Sequence, residues 1–440
     1  MLHCDKPGTG LVDAPRAFSL KLGLVTKGAC KLLPSSVDAE LCLKHESGQL
    51  VAIMAKHVDD LKISGPVRVV EWIVSEIQKV FGDLIVQWHT FTNCGVRHIQ
   101  DRISKAITLD QEEYIAAMKP IVHDDLKGVS SESLASQPLQ ELFMSLLGAA
   151  AYALLTRPDA AVFIAALQRV SGKCKIIHIK RLNIVVRWMQ RFPCRLTYAP
   201  FGEKSETHLR IISDSAFRCE DGEGHALKGH LFLRTETTKS APVRAERNSQ
   251  CGIEACTASV HVLDYSCKKQ RHVCRSTFGA ELFAACDGAD HGMLLAQILH
   301  EIQHGAVSHS VARSLRETGG WSVRMVLAMD AMRVFAAVTA TQVKEPAEKA
   351  LWSHVQYLRE LLDTRVLDEL WWLDTRDMGS DGLTKGSVER SELQSIMQGT
   401  QNLYHTAKRW ATARPPNISN EQAHPAWFLT MLRASSWLKY

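Results

Sequence analysis

Apolar positions along this chain change period several times, and each change marks an element. An apolar run over residues 51–55 and the alternation Leu61-Lys62-Ile63-Ser64 flank His57-Val58-Asp59-Asp60. That pattern predicts two strands around a turn with carboxylates at its tip. Val70, Ile73, Ile77, Val80 and Phe81 then recur at helical spacing, and Gly82 predicts the stop. Ile107 and Leu109 predict a short strand, and Asp110 with Glu113 reads as a capping box opening a helix. Residues 121–138, rich in Ser, Gly and Asp, read as a linker. Helices are expected over 139–155, 159–170 and about 177–190.

A second linker at 199–206 leads into a different pattern. Strands are expected at 208–213, ending at Asp214, and at 227–233 and 260–267. A long helix over 277–300 carries Glu281, and a strand at 323–329 ends at Asp330. A helix at 345–362, a strand at 366–373 and a short helix opened by Asp381 complete the order βββαβαβα. That order predicts an α/β (α+β) fold with a mixed sheet covered by helices. The tail after Gly386 is weakly patterned and predicts no role.

Composition adds less than the pattern. A chain of 440 residues, 46% hydrophobic, allows two to four domains with real cores and excludes a disordered chain. The net charge of +5 permits a nucleic-acid partner. Its distribution is more informative, because residues 160–202 contain no acid and carry Arg169, Lys173, Lys175, Lys180, Arg181, Arg187, Arg191 and Arg195. On helices such a stripe tracks a phosphate backbone, or forms a solvated basic face. The twelve cysteines form no CxxC pair, which fits free thiols in a reducing compartment. Cys251, Cys256, Cys267 and Cys274 lie near His261 and His272, but their spacing matches no standard zinc pattern. Neither a signal peptide nor a membrane span is expected, because Arg157-Pro158-Asp159 breaks the most apolar run. The expected location is intracellular, cytoplasmic and/or nuclear.

Adjacent carboxylates such as Asp59 and Asp60 repel unless a cation lies between them. Mg2+ (or Mn2+) takes one or two carboxylates and completes its shell with water and phosphate oxygens. Taken singly, Asp214, Glu281, Asp330 and Asp381 read as ordinary caps or strand-end polar residues.

Their order carries a resemblance to the C-terminal part of copia-type LTR retrotransposon polyproteins. His57-Val58-Asp59-Asp60 resembles the YVDD box of reverse transcriptases, with His in place of the aromatic. Asp13-Ala14-Pro15-Arg16-Ala17-Phe18 looks like the family's QAPRAW segment. Leu146-Leu147-Gly148 through Leu155-Thr156-Arg157-Pro158-Asp159 is similar to its LLGALLYLTRPD segment. Ser213-Asp214-Ser215-Ala216-Phe217 resembles SDADW, and Ser266-Cys267-Lys268-Lys269-Gln270 matches SSKKQ. Ser276-Thr277-Phe278-Gly279-Ala280-Glu281-Leu282 resembles SSTEAEY, and Asp381-Gly382-Leu383-Thr384-Lys385 resembles ADILTK. Asp330 stands where the family has Asp-Asn, with Ala331 replacing the Asn.

The resemblance implies a partial reverse-transcriptase palm at 1–120, basic thumb and connection helices at 121–200, an RNase H-like domain at 201–390 and an extension at 391–440. It implies that Asp214, Glu281, Asp330 and Asp381 hold two metal ions and hydrolyse the RNA strand of an RNA–DNA hybrid. Arg169, Lys173, Lys175, Lys180, Arg181, Arg187, Lys268 and Lys269 would grip nucleic acid, and Asp59 and Asp60 would be inherited polymerase ligands. The family's polymerase needs a further carboxylate well upstream of the QAPRAW segment, so the chain alone is not expected to polymerise DNA. Other chains of the same retroelement polyprotein are the expected protein partners, including one that supplies the missing part. The alternative is a decayed, non-catalytic remnant that binds nucleic acid, favoured by His57 and Ala331.

Overall fold

The computed structural model describes residues 14–202, 205–217, 225–236, 251–342 and 345–411. Asp13, the first residue of the QAPRAW-like segment, lies outside them. Among the described residues, 14–94 with 293–323 form one compact unit, and 95–292 with 324–411 form the other.

In the first unit, strands Leu33–Pro34, Leu41–Glu46, Gln49–His57 and Asp60–Ser64 form an antiparallel sheet in that order. Helix Val67–Phe81 buries Ile73 and Ile77 against Cys42, Ala52 and Met54, and Gly82 ends it at φ +84°. This is the helix that the apolar spacing predicts, stopped where a left-handed φ favours glycine.

In the second unit, antiparallel strands Val96–Gln100, Ile107–Asp110 and Leu196–Tyr198 lie side by side. Helix Glu112–Ala117 follows, with Gln111 as its N-cap residue and no cap bond from that side chain. Asp110 is fully buried, and its carboxylate accepts from Arg97 Nε at 3.1 Å and Nη2 at 3.1 Å. The same carboxylate also accepts from the Glu112 N–H at 3.1 Å, so Asp110 does serve the helix start, while Glu113 is drawn to Arg97 Nη1 at 3.3 Å. Helices Gln137–Tyr152, Ala161–Gln168 and Ile176–Arg191 share a core of Leu139, Phe143, Ile164, Ile179 and Leu182. Residues 137–155 are long and apolar enough to cross a membrane by length and composition, yet Leu139, Phe143, Leu146, Leu147 and Ala150 are buried in that core.

The break between these helices is a buried ion pair. Arg157 donates from Nε and Nη2 to Asp159 at 2.8 and 2.9 Å, and from Nη1 to the Met189 carbonyl at 3.0 Å. Both side chains are fully excluded from solvent. Arg390 Nε donates to the Asp159 carbonyl at 3.2 Å, and Gln394 Nε2 to its carboxylate at 3.1 Å. Tyr265 donates to the Leu154 carbonyl at 2.6 Å. These bonds tie residues 121–200 to the large sheet within one compact unit.

That sheet has eight strands: β1 Thr207–Ala216, β2 His225–Glu236, β3 Cys251–Ile253, β4 Cys256–Val273, β5 Arg324–Met329, β6 Glu369–Trp372, β7 Thr400–Leu403 and β8 Ala407–Trp410. Their order is β3-β8-β6-β5-β1-β2-β4-β7. β1, β2 and β4 are antiparallel neighbours, whereas β5 runs parallel to both β1 and β6. The mixed sheet expected from βββαβαβα is therefore present. Its helices are α1 Thr277–His304, α2 Met332–Thr339, α3 Trp352–Asp363, α4 Asp381–Thr384 and α5 Ser391–Met397. α3 begins later than expected, after a 3-10 turn at Lys349–Leu351. The weakly patterned tail supplies α5, β7 and β8, and its two strands pair with β4, β6 and β3.

Candidate metal centre

Asp214 lies in β1, one of the two central strands, every residue of which from His208 to Ala216 is buried. Glu281 projects from the first turns of α1, and Asp330 directly follows β5, parallel to β1. Ligand oxygens of these three carboxylates all lie within 4.8 Å of one another. Asp214 is fully buried and the other two are half-buried.

The backbone around the cluster is pinned by side chains. Gln270, near the end of β4, donates to the Ala280 carbonyl at 2.7 Å and to Ser215 Oγ at 3.1 Å, which fixes α1 beside Glu281. His230 is buried between Ser266 Oγ at 2.8 Å and the Ala284 carbonyl at 2.7 Å. Because a carbonyl only accepts, Nε2 must carry the proton and Nδ1 must accept from Ser266. Burial holds this imidazole neutral, its pKa down at about 4. Ser266 and Gln270 are the two ends of the SSKKQ-like segment, so that segment ties α1 to the sheet. Thr375 Oγ1 donates to Asp330 Oδ2 at 2.9 Å, and Trp372 Nε1 to the Asp330 carbonyl at 2.8 Å.

Asp381 approaches from α4, a helix that the expected short helix matches in position. Lys385 Nζ donates to Asp381 Oδ1 at 2.7 Å and lies 3.4 Å from Asp214 Oδ1. Thr384 Oγ1 donates to Asp214 Oδ2. The sequence placed Thr384 and Lys385 in a motif without assigning either a task. Gly229 in β2 carried no signal at all, although it stands opposite Asp214 in the β1–β2 register.

The electrostatics are those of crowded, buried anions that share one cation, Lys385. Burial, then the charges of Asp214 and Asp330, push the Glu281 carboxyl up to about 9. Asp330 is raised by burial and by Asp214. Asp381 is pushed up to about 7 by burial and Asp214, against the hydrogen bond from Lys385. A cation among these oxygens would reverse each of these penalties. An all-carboxylate donor set suits a hard divalent ion and not one that prefers nitrogen or sulfur. The triad can therefore hold a metal ion. Among the described residues, no other group of three acids, histidines or cysteines is close enough to do so.

Asp59 and Asp60 are placed differently. They are exposed at the tip of the expected hairpin, where His57 pairs with Asp60 and Val58 adopts φ +54°. No third ligand joins them among the described residues. The basic residues also separate. Arg181, Arg187 and Arg191 are exposed on helix Ile176–Arg191, the last two about a turn apart, and Lys173 and Lys268 are exposed elsewhere. Arg169, Lys180 and Lys269 are half-buried, and Lys180 Nζ donates to Ser131 Oγ at 3.2 Å. Glu132 pairs with Lys175 at 2.8 Å and Glu112 with Arg195 at 2.6 Å. The stretch without acids in sequence is thus partly neutralised by acids from elsewhere in the chain.

Comparison of the chain with protein-family models, with curated proteins and with solved structures returns no match.

Proposed function

We propose that the chain is a ribonuclease H-type hydrolase from a copia-type retroelement polyprotein, acting on the RNA strand of an RNA–DNA hybrid with Mg2+ or Mn2+. The observation that carries this reading is the convergence of Asp214, Glu281 and Asp330 from a first strand, a first helix and a fourth core strand. Three antiparallel strands followed by two parallel ones, with the acids in that order, is the arrangement that the sequence resemblance implies.

In this reading Asp214, Glu281 and Asp330 hold the metal, with Asp381 and Lys385 beside it. A divalent ion held there would lower the cost of deprotonating water and of charge on the scissile phosphate. Hydrolysis forms a bond from the water oxygen to phosphorus and breaks the bond to the 3′-oxygen, which leaves with a proton. Thr375 and Gln270 keep Asp330 and the start of α1 in place for this task. The exposed Arg181, Arg187 and Arg191 provide charge for phosphate contacts. Other chains of the polyprotein are the protein partners in this reading, and the cytoplasm or nucleus is the setting.

The test is cleavage of a labelled RNA–DNA hybrid by the native chain with Mg2+, compared with Asp214→Asn. Removal of a few kcal/mol of charge stabilisation predicts a loss of at least about a hundredfold. Hybrid binding without cleavage by the native chain would instead support the decayed, non-catalytic remnant, the reading that Ala331 in place of Asn favours.

A further inference from the structure

We infer that Lys385 is a built-in cation of the acidic cluster, so that the chain binds one divalent ion where its four carboxylates would otherwise take two. The inference rests on the metal-centre reading and specifies how that site is charged.

The geometry separates the four acids into two sets. Asp214, Glu281 and Asp330 form the group whose oxygens lie within 4.8 Å, and Asp381 is outside it. What joins Asp381 to the rest is an ammonium group, 2.7 Å from Asp381 Oδ1 and 3.4 Å from Asp214 Oδ1. A second divalent ion bridging Asp214 and Asp381 would need the space that this nitrogen fills.

Lys385 is not a surface side chain that happens to reach inward. Residues 381 and 385 are one helical turn apart, so their side chains share a face. The Lys385 N–H donates to the Asp381 carbonyl at 2.9 Å, and Arg390 Nη2 donates to the Lys385 carbonyl at 3.2 Å. Its neighbour Thr384 is bonded to Asp214 itself. The backbone that carries the ammonium is therefore fixed on both sides, and the Asp214 carboxylate is fixed by the same short segment. A lysine is a compact point charge that also binds phosphate. Here it would supply positive charge beside Asp214 whether or not metal is present.

The experiment counts Mn2+ bound to the full-length chain by electron paramagnetic resonance titration. The native chain is expected to bind one ion, Lys385→Ala two, and Lys385→Arg one, because arginine retains the charge. Asp381→Asn is expected to leave the count at one, which tests the assignment without removing the lysine. Two ions on the native chain, one on a folded Lys385→Ala chain, or none on Asp381→Asn would each overturn the inference. One ion on the native chain that rises to two in Lys385→Ala, with no hybrid cleavage, would sustain it and remove the hydrolase reading. No ion on the native chain would remove the metal centre and the inference together.

Discussion

Gly229 faces Asp214 across the β1–β2 register, and a Cβ at that glycine would lie 2.6 Å from Thr384 Cγ2 and 2.9 Å from Leu383 Cβ. The bare backbone of β2 is what lets α4 lie close enough for Thr384 and Lys385 to reach Asp214. Gly229→Ala should push α4 outward. The expected outcome is destabilisation by about 1–3 kcal/mol and at least about a tenfold loss in kcat/KM for hybrid cleavage. Denaturant titration and steady-state kinetics on the same preparation check both. Normal cleavage by the variant would mean that α4 does not set the site.

The raised carboxyls make the metal-free protein sensitive to base. Glu281 titrates near 9 and Asp381 near 7, both above their usual values, so between about pH 4.5 and 9 the folded state holds more protons than the unfolded state. Stability in chelator should fall as pH rises through that window. Glu281→Gln removes the largest contribution and should raise the melting temperature at pH 8 by ~2–4 °C for each kcal/mol recovered. Mg2+ added to the native chain should act in the same direction. A flat profile from pH 5 to 9 in chelator would contradict this account of the cluster.

The Arg157–Asp159 pair should behave as a buried ion pair with no solvent to rescue a lone partner. Asp159→Asn or Arg157→Met alone should cost about 3–5 kcal/mol, and the double variant should cost less than the sum. Guanidinium denaturation of the four proteins measures the coupling. Additive losses would show that Met189, Arg390 and Gln394, and not the pair itself, hold the corner.

Ala331 is the N-cap of α2, and no side chain caps that helix. Asparagine there would accept from the free backbone N–H groups of the first turn. Ala331→Asn should stabilise the chain by about 1 kcal/mol. An unchanged denaturation midpoint would show that the turn does not admit a capping side chain.

The elements that the sequence predicts well are those with a long, regular apolar face. Val70, Ile73 and Ile77 on one helix, and the run around Ile211 and Ile212 in β1, bury the positions that their period indicates. The failures have local causes. The Asp110–Glu113 box is only half formed, because sequence spacing cannot show that Arg97 on the neighbouring strand shares Asp110 and draws Glu113 away. β7 and β8 have four residues each, too few to display alternation, and their place is set by the strand edges they pair with.

The sequence by itself determined on which element each of the four acids sits. Asp214 on a strand, Glu281 on a helix, Asp330 after a strand and Asp381 at a helix start follow from hydrophobic period and turn residues, which are short-range properties of the chain. Only the tertiary structure decided which of them meet. Strand order brings three carboxylates within 4.8 Å, and a glycine on β2 admits α4 with the lysine that claims the fourth. Asp59 and Asp60, adjacent in sequence and alike in composition, gain no third ligand among the described residues. Spacing along a chain fixes neighbours within about one helical turn or strand pair, whereas a metal site depends on distances between elements that packing alone sets.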